Sequence, residues 1–507
     1  MLPFCIFTGM KKVFFLAIFL LTSLIAKSVT LVFTEEAENA YRAALALDQP
    51  AMEKWLDLDR TRHPGNQIDL VIRNYFDFFL AFIKEEKDLG ARFQEKRESR
   101  LIILNRVNDN NPLKKWAIAT IYLQSAAVRT KFDEPYSAAL ELRKAFLLLQ
   151  ENEKQFPHYD MGKASLGLLY VLIGSIPPQY QWVVRLASMH GNIPEGKKML
   201  YEIVRSDPVH KPSIFRDEAL FFLSFIETNL NPDKDGIKQL LAEFGDDDLR
   251  HPLLLYAKAN MELRSGQNDA ALQTLRKSQG VQNCGLIDYL LFMQGEALLR
   301  KLDFHADSFY NAFIQRFKGV NYVIDAWRKR AWISALKGDV QGWNDNMQSL
   351  RQTGFQAQNE SDKQALREAS GHRMPNIHLL KARLLFDGGY YQQVEQLLRE
   401  GAKQLPDWNT GDQLEYFYRV GRVQQALNQR EEALHYYALT YAKGHNDKTY
   451  FAANALLLSG EIYENEGDFQ QAEEMYKKCL QLKPDEYRLG IHARAKAGLN
   501  RISNVNK

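Results

Sequence analysis

The feature that most constrains this chain is a residue frame that recurs through its second half. In "ALLLSGEIYENEGDFQQAEEMYKKCLQLKP", residues 455–484, a small residue at Gly460 is followed by Tyr463, Gly467, Phe469, a second small residue at Ala472, then Tyr476, Cys479 and Pro484. Slid backwards, the frame meets Gly421, Ala433 and Tyr437 in "EYFYRVGRVQQALNQREEALHYY", and Ala382, Gly389, Tyr391, Val394 and Leu398 in "IHLLKARLLFDGGYYQQVEQLL". "LLLYAKANMELRSGQNDAALQTL" supplies Ala259, Gly266, Ala271 and Leu275, while Gly295 and Ala331 mark two poorer copies. The leading small residues, at 259, 295, 331, 382, 421 and 460, are 36, 36, 51, 39 and 39 residues apart. A period of this length means one supersecondary unit per copy, each burying its apolar face against the next. Gly460 and Ala472 let paired helices approach closely, Gly467 supplies the turn, and Pro484 ends the second helix because it cannot continue the hydrogen-bond ladder.

The frame resembles a tetratricopeptide repeat, a family marked by small residues where two helices cross and large ones beside them. The resemblance implies an all-α, right-handed solenoid of helical hairpins, a non-enzymatic role, and protein or peptide partners held on a concave face lined by the first helix of each repeat. On that reading the side chains expected on the inner face are Asn260, Arg383, Tyr418, Arg422, Gln425, Glu461 and Glu464. The long interval contains an insertion at about 351–376, polar enough for a solvated loop or an extra surface helix, and expected to protrude. Residues 485–503, with Leu489, Ile491, Ala495 and Leu499 among basic residues, are expected to form a final helix that caps the array.

Composition fits an all-α chain, since the 507 residues contain 16 prolines and 29 glycines, few for an all-β protein of this size. The N-terminus has the pattern of a targeting segment. Met10-Lys11-Lys12 precedes an uncharged run from Val13 to Ala26, and Ala26-Lys27-Ser28 carries small residues where a signal peptidase needs them. Fourteen apolar residues are short for a bilayer span, so cleavage is expected, with an uncleaved anchor as the alternative. The expected division is therefore 1–28 signal peptide, 29–205 irregular helical region and 206–507 repeat array, in a protein exported to the periplasm or the outer membrane. Without residues 1–28 the acidic and basic side chains balance, and no basic block or aromatic-basic alternation appears, which excludes a nucleic-acid partner. Cys284 and Cys479, nearly two hundred residues apart, are expected as free thiols.

The N-terminal half shows five or six amphipathic stretches, among them 35–48, 68–86, 113–129, 136–154 and 195–205. Within it, "LGLLYVLIGSIPPQYQWVVRLASMHGNIPEGKKML" runs uncharged from Ser165 to Val184. Ser175, Pro177 and Pro178 suit the start of a helix and Gly191 its exit, so the stretch is expected to fold as a buried hairpin rather than to span a membrane. Through Gly167, Leu172, Ser175, Pro177, Pro178, Leu186, Gly191, Asn192, Gly196 and Leu200 it resembles a segment of the tetratricopeptide repeat protein 39 and inclusion-body clearance family. That resemblance implies the same architecture and a partner-binding role. The alternative function is an apolar-ligand or lipid-binding module, with Tyr170, Tyr180 and Trp182 as its contacts.

Catalytic and metal-binding patterns are sparse, and no cofactor or metal is expected. "NPDKDG" at 231–236 opens like a calcium loop, but the closing acid position is Ala242, so a turn with Asp235 capping the next helix is expected. The histidines never form H-E-x-x-H, His372 and His378 are six apart, and "GDDD" at 245–248 suits a solvated helix cap. No nucleophile elbow or phosphate loop is present.

Overall fold

The structure is a computed structural model that describes residues 30–157, 160–176, 188–206, 213–353, 357, 359–371 and 373–505. The expected signal peptide, Pro177, Pro178, Tyr180, Trp182, Leu186 and His372 lie outside the described residues. Among the described residues there are 24 α-helices and no strand, apart from one isolated bridge between Thr30 and Asn66. None of these helices is long and apolar enough to cross a membrane. The helices fall into two compact units, and the division lies within α9 (Arg216–Phe225), after Ala219.

The first unit is built from sequential antiparallel pairs: α1 (Glu35–Leu45) with α2 (Gln49–Arg62), α3 (Ile68–Lys84) with α4 (Lys87–Leu104), α5 (Pro112–Lys131) with α6 (Pro135–Gln155), and α7 (Lys163–Gly174) with α8 (Ile193–Val204). Local chemistry sets where they start. Thr34, Asp48, Asn111 and Asn192 each accept a backbone N–H of the first helical turn, and Pro112 occupies an opening position where it has no donor to lose. Among the described residues eight α-helices thus lie between Glu35 and Val204, where five or six were expected. The shortfall has a physical cause in α4, "KDLGARFQEKRESRLIIL", which buries Arg97 and Arg100 beside Phe93, Leu101 and Leu104. Arg97 pairs with Glu141 at 2.6 Å and Arg100 donates to Asn74 Oδ1 at 2.8 Å. An inward face made partly of paired charges does not register as apolar periodicity. At the α7–α8 crossing, a Cβ on Gly196 would lie 2.4 Å from the Gly167 carbonyl oxygen, so both glycines are required by close helix approach.

One buried carboxylate of this unit has only phenols as hydrogen-bond partners among the described residues. Glu218 of α9 accepts the Tyr41 hydroxyl at 3.1 Å and the Tyr75 hydroxyl at 2.8 Å. The aromatic surroundings continue through Phe215, whose ring centroid lies 5.6 Å from that of Tyr41 and 5.8 Å from that of Trp116. Burial pushes the Glu218 carboxyl up to about 7, and the two tyrosine hydrogen bonds offset this only in part.

After the end of α9, the second unit continues with the short α10 (Lys234–Leu241). It continues in six hairpins: α11 (Pro252–Arg264) with α12 (Asn268–Lys277), α13 (Tyr289–Leu299) with α14 (Ala306–Arg316), α15 (Val323–Leu336) with α16 (Val340–Gln352), α18 (Ile377–Asp387) with α19 (Tyr391–Gly401), α20 (Thr410–Ala426) with α21 (Arg430–Gly444), and α22 (Phe451–Glu466) with α23 (Phe469–Gln481). The recurring small residues sit against tyrosine rings. A Cβ on Gly295, Gly421 or Gly460 would come within 2.9, 2.7 or 2.5 Å of Tyr310, Tyr437 or Tyr476 respectively. Each tyrosine then donates its hydroxyl back to the first helix, to Glu296, Gln425 and Glu464, all at 2.6 Å. Gly467 takes φ +79°, the left-handed conformation its turn requires.

Two expectations are corrected here. Among its described residues the insertion does not protrude. It holds α17 (Glu360–Ser370), whose Ala365 and Ala369 pack with Trp343, Met347 and Leu350. Asp362, fully buried, accepts the backbone N–H groups of Tyr322 and Asp325 at 2.8 Å each and thereby caps α15; burial pushes its carboxyl up to about 6. The polar composition that suggested a solvated helix serves this capping and the cleft described below. At "NPDKDG", Asp233 and not Asp235 caps the helix, accepting the Asp235 N–H at 3.1 Å. The last helix, α24 (Arg488–Val505), covers the preceding hairpin with Ile491, Ala495 and Ile502.

Candidate binding cleft

The first helices of successive hairpins in the second unit enclose two adjoining cavities. The smaller, about 120 Å³, is walled by Arg383, Phe386 and Asp387 of α18, by Tyr418, Arg419 and Arg422 of α20, and by Tyr450 at the start of α22. The larger, about 300 Å³, adds Trp332 of α15, Gln364, Arg367 and Glu368 of α17, and Phe451 and Glu486. Arg383, Arg419 and Tyr450 line both. Helical spacing explains the convergence, since Arg419 and Arg422 lie three apart and Glu415 four before Arg419, all on one side of α20.

Most charges here are matched inside the unit. Arg373 pairs with Asp412 at 2.5 Å, Arg419 with Glu415 one turn away, and Arg367 with Glu486 at 3.7 Å. Glu368 accepts the Trp332 indole N–H at 2.5 Å and lies 3.6 Å from Arg328. Arg383 and Arg422 differ. Arg383 stacks over Trp332, 4.8 Å from the ring centroid, and donates to Gln364 Oε1 at 3.2 Å. Arg422 stacks over Phe386 at 4.5 Å and donates to the Tyr418 hydroxyl at 3.0 Å. Among the described residues neither guanidinium has a carboxylate ion-pair partner. Each has aromatic faces and one neutral acceptor, leaving most of its donors for the cavity.

The inner-face side chains named from sequence divide into two groups. Arg383, Tyr418 and Arg422 meet in the cleft, with the Tyr418 ring buried at 2% exposure and its hydroxyl also accepting Asn454 at 2.6 Å. The others are engaged within the fold: Gln425 by Tyr437, Glu461 by Arg494 of α24 at 2.7 Å, Glu464 by Tyr476 and by Arg501 at 2.6 Å, and Asn260 by Thr228 at 3.5 Å. Tyr170, in the first unit, is buried against Phe146 and His190, with ring centroids 6.1 and 5.4 Å away. Sequence reasoning missed Arg419, Tyr450, Trp332 and Gln364. Arg419 carries a signal in its i,i+4 relation to Glu415, whereas Gln364 enters from the insertion and carries none.

The remaining candidate chemistry is structural. Glu36, Asp59 and His63 bring their ligand atoms within 4.8 Å of one another, a triad the sequence pattern did not reveal. Its carboxylates are already engaged: Glu36 by Arg62, and Asp59 by Thr34 Oγ1 at 2.5 Å and Asn66 Nδ2 at 3.1 Å. Cys284 and Cys479 are free and buried, and burial pushes their thiols up to about 11 and about 12.

Comparison with known proteins adds a local assignment. No curated protein matches the chain in sequence. Among solved structures, a human IFIT1 dimer with m7Gppp-AAAA is similar over 90% of this chain and 96% of its own, at 12% identity and a TM-score of 0.32. The P58(IPK) TPR domain covers 83% and 98% at 15% identity and TM-score 0.22, and the APC/C hetero-tetramer Cut9–Hcn1 covers 91% and 97% at 13% and 0.24. Likeness at this level carries no functional argument. Residues 453–486, the α22–α23 hairpin that carries Gly460, Gly467, Ala472 and Tyr476, match the tetratricopeptide repeat family model.

Proposed function

We propose that this chain is a non-enzymatic adaptor that holds a partner protein, through a peptide segment, in the cleft between α15, α18, α20 and α22. One observation carries the reading: two guanidiniums without carboxylate ion-pair partners among the described residues face the adjoining cavities, Arg383 and Arg422 with Phe386, Tyr418 and Tyr450 in the smaller, and Arg383 with Trp332 and Tyr450 in the larger. Aromatic walls with arginine donors are the composition of binding hot spots. The lysine-flanked apolar run at 13–26 supports export, and with it a place in the periplasm or at the outer membrane. The glycine pair that seals α7 on α8 supports kinship with the tetratricopeptide repeat protein 39 and inclusion-body clearance family, whose segment shares both positions.

The test is photo-crosslinking in the native envelope with the reactive side chain in place of Met374, which lines the larger cavity. Mass spectrometry should recover one partner from wild type and far less of it from the R383Q/R422Q double variant. Recovery of the same abundant bystanders from both would sink the reading. Fractionation and N-terminal sequencing check export, which fails if the chain is found intact in the cytosol.

A further inference from the structure

We propose that α17 is an autoinhibitory strap: it bars the cleft through Gln364 and Arg367, latched to Tyr487 and Glu486, and a partner enters by displacing it. The inference deepens the binding reading above and rests on it. The hairpin α15–α16 is complete without α17, which is a third helix added within the one interval of 51 residues. Through Ala365 and Ala369 it packs on Trp343, Met347 and Leu350. Its Gln364, Arg367 and Glu368 line the cavity of about 300 Å³, opposite residues of α18 and α20 and the segment before α24.

The two attachments of α17 differ in strength. Its first turn is held by Asp362, fully buried, which accepts the backbone N–H groups of Tyr322 and Asp325 at 2.8 Å each. Across the cavity, Tyr487 donates to Gln364 Oε1 at 2.7 Å, and Arg367 Nε lies 3.7 Å from Glu486. That latch is one neutral hydrogen bond and one ion pair beyond hydrogen-bond length, between half-buried side chains. Arg367 Nε and Nη2 are buried atoms without a hydrogen-bond partner, and the other carboxylate near them, Glu360, is 3.9 Å away. Unmade hydrogen bonds on a buried guanidinium are a cost of the closed state, and opening relieves it. Tyr487 also holds φ +53°, a left-handed conformation that a bulky side chain resists and that collects at clamps and switches.

What the strap excludes follows from what it touches. Gln364 Oε1 accepts Arg383 at 3.2 Å, so its carboxamide takes the place that a backbone carbonyl of a bound segment would take. Glu368 accepts the indole N–H of Trp332, a second donor of the same wall. Closed, α17 satisfies the donors that a partner uses. Strap and partner are therefore alternatives at Arg383 and Trp332.

The experiment measures how fast a thiol in the cleft takes up fluorescein-5-maleimide, in the full chain carrying Thr449→Cys. Thr449 lines the larger cavity, and its buried hydroxyl has no hydrogen-bond partner among the described residues, so sulfur replaces oxygen at little cost to the fold. Cys284 and Cys479 are buried and stay silent. Adding Y487F/E486Q removes the latch at nearly constant volume and should speed labelling about tenfold. Hydrogen exchange should quicken in residues 360–370 and stay unchanged in α22 and α23. Photo-crosslinking from position 374 should recover several-fold more partner from Y487F/E486Q than from wild type. Labelling unchanged by Y487F/E486Q, or exchange that quickens equally in α17, α22 and α23, overturns the strap. A partner recovered equally from wild type and Y487F/E486Q, but lost in R383Q/R422Q, overturns this inference alone. Faster labelling with no partner captured from either protein overturns the adaptor reading alone.

Discussion

Glu218→Gln isolates the cost of an ionised carboxylate in the first unit's core. Glu218 is 4% exposed, its partners are two phenols, and no cation pairs with it among the described residues. Its carboxyl titrates at about 7 in the folded chain against an ordinary 4.5. Between those values the folded state holds a proton that the unfolded state has released. Stability is therefore fully present below pH 4.5 and is lost as pH rises to about 7. Each pH unit in that window removes about 1.4 kcal/mol, or about 3 kcal/mol across it. The glutamine amide keeps an acceptor for one tyrosine and offers a donor to the other, at nearly the same volume. Urea melts of wild type and E218Q, followed by hydrogen exchange of α1 and α3 peptides, should show the difference between the two proteins changing by about 3 kcal/mol between pH 4.5 and 7.5, with E218Q the more stable at the upper end. Taking the difference cancels groups common to both, including Asp362. A wild-type-minus-variant difference that stays flat with pH would refute the assignment of Glu218 as a carboxylate protonated by burial.

Other perturbations probe the second unit. Gly460→Val places new atoms where a Cβ alone meets the Tyr476 ring at 2.5 Å, and thermal melts should show a loss of about 1–3 kcal/mol in the last hairpin. Asp362→Ala leaves two backbone N–H groups at the start of α15, one buried and one part-buried, without their acceptor; denaturation at pH 7 should show a loss of about 2 kcal/mol and early exchange of α15 amides. Cys284 and Cys479, buried with thiols pushed up to about 11 and about 12, should resist iodoacetamide at pH 8 until urea unfolds the chain, and rapid labelling of the native protein would contradict the packing. Tyr437→Phe removes the hydroxyl that holds Gln425 at 2.6 Å and should cost about 1 kcal/mol without changing helix content, as read by circular dichroism.

The hairpin array was legible because its signals are local. Gly460, Gly421 and Gly295 recur at the crossings where tyrosine rings leave no room for a Cβ, and Gly467 marks a turn that a side chain resists. Helix starts at Thr34, Asn111 and Asn192 are likewise legible, since a cap is a contact within three residues. The first unit was harder. Arg97 and Arg100 of α4 look like solvated charges until Glu141 and Asn74, far along the chain, are placed beside them.

The candidate cleft divides along the same line. By itself the sequence determined that this chain folds as stacked helical hairpins, because small-residue spacing, turns and caps act over distances shorter than one repeat. It also put Arg383, Tyr418 and Arg422 on the first helices, since helical phase is a property of neighbouring residues. Only the tertiary structure decided that Glu461 and Glu464 are taken by α24, that α17 folds inward to supply Gln364, and that Arg383 and Arg422 have no carboxylate ion-pair partner among the described residues. Which charges remain unpaired depends on every element packed around them, and side chains whose partners lie a hundred residues away carry no local trace of the pairing.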